Sequence, residues 1–98
     1  MFHRTRPIAE AAKLAEDEAR KAIAIDSNDA AAQGALAAAF VLLGNYQAAL
    51  DRAERALALN RNSVAAYRIK AAALILAGRY SDGRVAAFIS LRLIHATL

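Results

Sequence analysis

The chain has 98 residues, a formal net charge of +4 and 58% apolar residues, against roughly 45–50% in ordinary globular chains. At about 100–200 residues per domain this is one domain, with no room for a separate catalytic unit. The absence of cysteine excludes a disulfide scaffold, thiolate zinc sites and a cysteine nucleophile, and four Gly with one Pro exclude collagen-like and Pro/Gly-rich classes.

The apolar excess is mostly alanine, a composition that favours helix. In chain order, Met1-Phe2-His3-Arg4-Thr5-Arg6-Pro7 carries charge with no apolar core behind it, unlike a secretory signal. A first helix is predicted over about 7–25, with Pro7 suited to its first turn. Asp26-Ser27-Asn28-Asp29 reads as a turn that ends in helix-capping residues. Helices follow over about 30–43 and 46–59, separated by Gly44-Asn45, where glycine permits the left-handed stop. Asn60-Arg61-Asn62-Ser63 repeats the capping chemistry and Gly78 repeats the stop, which gives two more helices over about 64–77 and 80–95. No segment alternates with period two. The uncharged stretch from Ala30 to Leu50 is long enough to raise a membrane span. It is mostly alanine, holds Gln33, Asn45 and Gln47, and is broken at Gly44-Asn45, so two short helices fit better. A soluble, cytoplasmic protein without membrane attachment is the expectation.

The punctuation is periodic. Gly44-Asn45-Tyr46 returns as Gly78-Arg79-Tyr80, and Asn28-Asp29-Ala30 returns at the same interval as Asn62-Ser63-Val64. The small residues Ala49, Ala53 and Ala56 return one interval on as Gly83, Ala87 and Ser90, and appear one interval earlier as Ala15, Ala19 and Ala22. Positions four and three apart share one helix face, so small residues there admit a close neighbour. Each helix pair then leaves apolar surface that only a further pair can bury.

With these residues in view, Ala30–Ser63 resembles a tetratricopeptide repeat through Leu36, Ala37, Phe40, Gly44, Tyr46, Ala49, Ala53 and Ala56. Val64–Thr97 resembles a second through Tyr67, Ala71, Leu74, Gly78, Tyr80, Gly83, Ala87 and Ser90. Lys70 departs where Leu is usual, and Ser27, Arg61 and His95 stand where a terminal Pro is common. The resemblance implies an all-α, right-handed α-α superhelix of about two and a half repeats, with residues 7–29 an unpaired helix and turn, then repeats at 30–63 and 64–97. It implies a non-enzymatic module that holds a helix or an apolar peptide in a concave groove. The family's groove positions fall on Ala31, Gly34, Ala38, Val41 and Leu42, then Ala65, Arg68, Ala72, Ile75 and Leu76. Of these, Val41, Leu42, Ile75 and Leu76 are expected to pack partly between helices. The family's carboxylate clamp is missing: its positions hold Gly34, Ala35, Ala38, Ala65 and Ile69, with Arg68 the one cation. The alanine-rich flavour also resembles repeat segments of bacterial signalling proteins, which gives the alternative of a structural fragment of a larger regulator.

Catalysis finds no support. His3 falls in an N-terminus expected to fray and His95 near a helix end, the glycines are unconnected, and Ser and Thr have no His/Asp partner pattern. Glu16-Asp17-Glu18 reads as a solvated face. No metal or cofactor is expected. Residues 61–98 carry six Lys/Arg and one acid, yet Arg61, Arg68, Lys70, Arg79, Arg84 and Arg92 are scattered, and Tyr46 and Tyr80 match turn-packing positions, so nucleic-acid binding is disfavoured. The last helix is apolar nearly all round, and such a helix belongs in a buried setting. A lost repeat or another copy would cover it. Self-association through Val85, Phe88, Ile89, Arg92 and Leu93 is the expectation, with a protein, a peptide or a second copy as partner.

Overall fold

A computed structural model describes residues 2–97 of the chain, with side chains over residues 7–96. The described residues form five helices and no strand: α1 (Phe2–Ile25), α2 (Ala30–Leu42), α3 (Tyr46–Leu59), α4 (Val64–Leu76) and α5 (Tyr80–Thr97). The element order is the one read from the sequence. α2 and α4 end one residue earlier than expected, and two ends differ by more. α1 starts at Phe2, upstream of Pro7, although an interior proline gives up one backbone bond and crowds the turn before it. α5 runs on to Thr97, since no Gly or Pro follows Gly83 to stop it. His3 lies outside the residues with described side chains.

Local chemistry sets every break. The Asp29 carboxylate accepts from the Ala32 amide at 3.0 Å, and the Ser63 hydroxyl accepts from the Ala66 amide at 3.1 Å. Before each cap, Asp26 Oδ1 accepts from Asn28 N–H and Asn60 Oδ1 from Asn62 N–H. At the other ends Gly44 and Gly78 hold φ of 78° and 86°, a region open to glycine at no steric cost. The Asn45 amide then reaches the Phe40 carbonyl and the Gly44 amide that of Val41; Arg79 with Leu74 and Gly78 with Ile75 do the same. This pair of bonds closes a helix C-terminus. Each of these arrangements in the first repeat has its copy at the equivalent position of the second.

Each helix packs on the next in sequence, and α2 also packs on α4; no other pair meets among the described residues. The contacts therefore form an open series and do not close into a bundle. The main core joins Leu36 and Phe40 of α2, Ala49 and Leu50 of α3, Ala71, Ala73 and Leu74 of α4, and Ala86 of α5. Ala49, Ala53 and Ala56 of α3 are all buried. On α5 the matching Gly83 and Ser90 are buried and Ala87 is half-buried, whereas on α1 Ala15 is exposed. The buried residues of α1 are Ala12, Glu16 and Ala19, one face that meets the much shorter α2. α1 is about 36 Å long and α2 about 20 Å at 1.5 Å per residue, so none of residues 7–11 is buried.

Glu16 corrects the sequence reading. Asp17 and Glu18 are exposed, but Glu16 is buried. Its carboxylate accepts from Arg20 at 2.8 Å and from Lys13 at 3.2 Å. The Arg20 bond holds the Glu16 carboxyl below its ordinary range despite the opposing effect of desolvation, with Lys13 adding to the lowering. The Arg20 guanidinium in turn lies 5.6 Å from the centre of the Phe40 ring, so the pair bridges α1 to α2. Gln33, also buried, donates to the Ser27 carbonyl and accepts from Arg52, which ties the first turn to α3.

The glycines Gly34 and Gly83 separate two effects. A Cβ on Gly34 meets nothing within 4 Å, whereas one on Gly83 would sit 2.6 Å from Ile75 Cγ1 and 3.2 Å from the Ala71 carbonyl oxygen. Gly34→Ala should stabilise by about 0.5–1 kcal/mol through backbone entropy. Gly83→Ala should destabilise, because overpacking costs about 1–3 kcal/mol and outweighs about 1 kcal/mol of helix propensity. Urea titrations of the two variants check the opposite signs.

Candidate binding site

An apolar concavity lies between α2 and α4. One part, about 490 Å³, is lined by Ala38, Val41 and Leu42 from α2 and by Ala65, Arg68, Ile69 and Ala72 from α4. A second part of about 450 Å³ shares Ala38, Ala65 and Ile69 and continues past Ala31 and Gly34 to Asn60 and Ser63. The two make one trough along the α2–α4 contact. Alanine and Gly34 supply its floor because they leave space where longer side chains would fill it. Leu42 is exposed and Val41 half-buried, which puts apolar surface against solvent at one end. Arg68 is exposed, and among the described residues no carboxylate pairs with it.

Eight of the ten residues named for the groove line this trough: Ala31, Gly34, Ala38, Val41, Leu42, Ala65, Arg68 and Ala72. Ile75 and Leu76 do not. Ile75 is turned toward α5, where Gly83 leaves its Cγ1 the room a Cβ would take. Leu76 ends α4 as an exposed side chain outside the trough lining. Ile69 lines both parts. The sequence offered it only as an occupant of a missing clamp position.

A second hollow, about 460 Å³, lies on the other side of α4, between α3 and α5. Lys70 and Glu54 pair there at 2.6 Å, and Arg79 pairs with Asp82 at 2.9 Å. Four of its charges thus pair with one another, while Asp51 accepts from Gln47. Lys70 and Arg68 point into different concavities, so the basic residues of the second half form no single patch.

Of the residues named for self-association, Phe88, Arg92 and Val85 are exposed, while Ile89 and Leu93 are half-buried. Val85 and Ile89 turn into the second hollow. Phe88 and Arg92 stay on the outer face, with the guanidinium 5.8 Å from the ring centre. Equivalent positions of the two repeats expose what α5 lacks. α4 covers the face of α3 that carries Leu57, which is 8% exposed; its counterpart on α5, Leu91, is 63% exposed. Tyr46 packs against the core, and its counterpart Tyr80 does not, being 65% exposed. That corrects the expectation of a turn-packing Tyr80: its turn matches that of Tyr46, but no described helix covers its ring.

Among the described residues no group of three or more His, Asp or Glu stands together to hold a metal ion, and no helix is long and apolar enough to cross a membrane. No protein-family model and no curated protein matches the chain. Equivalent leucines give the check on the uncovered face. Leu57→Asp should cost about 3 kcal/mol or more, as a charge replaces a packed side chain. In samples dilute enough to be monomeric, Leu91→Asp should stay within about 0.5 kcal/mol of the parent, as exposed substitutions do. Thermal melts of both variants test the difference.

Proposed function

We propose that the chain is a tetratricopeptide-like interaction module, a right-handed superhelix of about two and a half repeats with no catalytic activity of its own. The trough between α2 and α4 takes an amphipathic helix or an apolar peptide, and the outer face of α5 is a surface for self-association. The observation that carries this reading is the continuous small-residue trough with apolar walls and a single unpaired cation, Arg68, at its side. Apolar grooves of this kind receive the hydrophobic face of a helix, with anchors three and four residues apart. Arg68 favours an acidic group on the incoming segment. The recurrence of caps, glycine stops and small-residue faces at one fixed interval supports the repeat reading, and the resemblance supplies the role.

A peptide-display selection with helix-forming libraries tests it. Selected peptides should carry apolar residues at helical spacing with an acid nearby. Ala38→Glu or Ala72→Glu should weaken them about tenfold or more, since a charge in an apolar contact costs at least about 1.4 kcal/mol. Peptides that bind parent and both variants equally would refute the trough as the site.

A further inference from the structure

The outer face of α5 has a chemical counterpart on the same molecule. On α5, Tyr80, Arg84, Phe88, Leu91 and Arg92 are all exposed. Arg84, Phe88 and Arg92 follow one another at spacing four, a single stripe on the helix. It reads cation, aromatic ring, cation. On α1, the side turned away from α2 exposes Glu10, Leu14 and Asp17 at spacings of four and three. That stripe reads acid, leucine, acid. The separations match: Glu10 to Asp17 spans about 10.5 Å and Arg84 to Arg92 about 12 Å at 1.5 Å per residue.

The rest of the acid inventory makes Glu10 and Asp17 unusual. Glu16, Glu18, Glu54 and Asp82 each hold a cation. Asp26 and Asp29 accept backbone amides, and Asp51 accepts from Gln47. Glu10 and Asp17 are the two acids for which the described residues supply neither an ion pair nor a hydrogen bond. Arg84 and Arg92 have no carboxylate partner there either. The apolar side chains between them, Leu14 at 66% and Phe88 at 59% exposure, are among the largest uncovered groups in the protein.

We propose that the outer face of α5 of one copy docks on the outer face of α1 of a second copy, joining chains head to tail. This rests on the reading of α5 as an association surface and names what covers it. Phe88 and Leu14 meet at the centre, and Arg84 and Arg92 meet Glu10 and Asp17 at the flanks. The two surfaces are different, so the contact is heterologous: each copy keeps one free face of each kind, and growth continues unless a ring closes.

The test is absolute mass by light scattering over a hundredfold range of concentration, on the parent, Phe88→Asp, Leu14→Asp and an equimolar mixture of the two variants. Both side chains are exposed, and circular dichroism checks that the helices persist. Should either variant unfold, Phe88→Ser and Leu14→Ser replace them. The parent should grow in mass with concentration past the dimer. Each variant alone should stay monomeric, because each has lost one of the two faces. The mixture should give a species of two chains and no larger, since the intact α5 of one variant meets the intact α1 of the other. A Leu14→Asp protein that associates like the parent overturns the head-to-tail contact while leaving α5 as an association surface. A mixture that stays monomeric also overturns it. A parent that is monomeric throughout overturns both, and leaves the trough reading untouched.

Discussion

Close approach of helix to helix is the constraint on which the rest of the structure depends. Ala49, Ala53 and Ala56 present almost nothing beyond a methyl group along one buried face of α3, and Gly83 presents less still to Ile75 on α4. Ala37 and Ala73 complete the pattern from the opposite side. Leu36, Phe40, Leu50 and Leu74 then fill the space between the tight contacts. A core built this way is made mostly of alanine methyl groups, each of which adds little apolar area. Its stability leans on many neighbours and on turns that fix where each helix begins and ends.

Those turns are chemical copies of one another. Asp29 and Ser63 cap, Asp26 and Asn60 brace the preceding turn, and Gly44 and Gly78 stop the helices with the same pair of backbone bonds. The helices they join meet in series, and among the described residues α1 does not reach α4. Both candidate surfaces follow from this. The trough exists because α2 and α4 meet across alanines, and the α5 face exists because no described helix does for α5 what α4 does for α3.

Much of this was legible in the sequence. Capping residues, glycine stops and the spacing of small residues are local signals, and they place the helices; most of the trough lining is named through the resemblance to the repeat family. What escaped depends on neighbours. Glu16 looks like part of a solvated acidic run until Arg20 and Phe40 are brought against it. Gln33 looks like an ordinary polar residue in an alanine helix, and is buried because the Ser27 carbonyl and Arg52 both reach it. Ile75 shares a period with the groove residues, but Gly83 offers it a closer berth on α5. Tyr80 repeats the setting of Tyr46 without the helix that covers it. The α1 and α5 stripes involve charges that read as solvated when each helix is taken alone.

The most direct test of the open series is a map of nuclear Overhauser contacts in the isotope-labelled chain, diluted into unlabelled protein so that only contacts within one molecule are seen. Contacts from Gly83 to Ile75 and Ala71 should be present, as should contacts between α2 and α4, with none joining α1 to α4 or α5. Contacts between α1 and α4 within one chain, or a Gly83 without contact to Ile75, would contradict the arrangement and with it both surfaces.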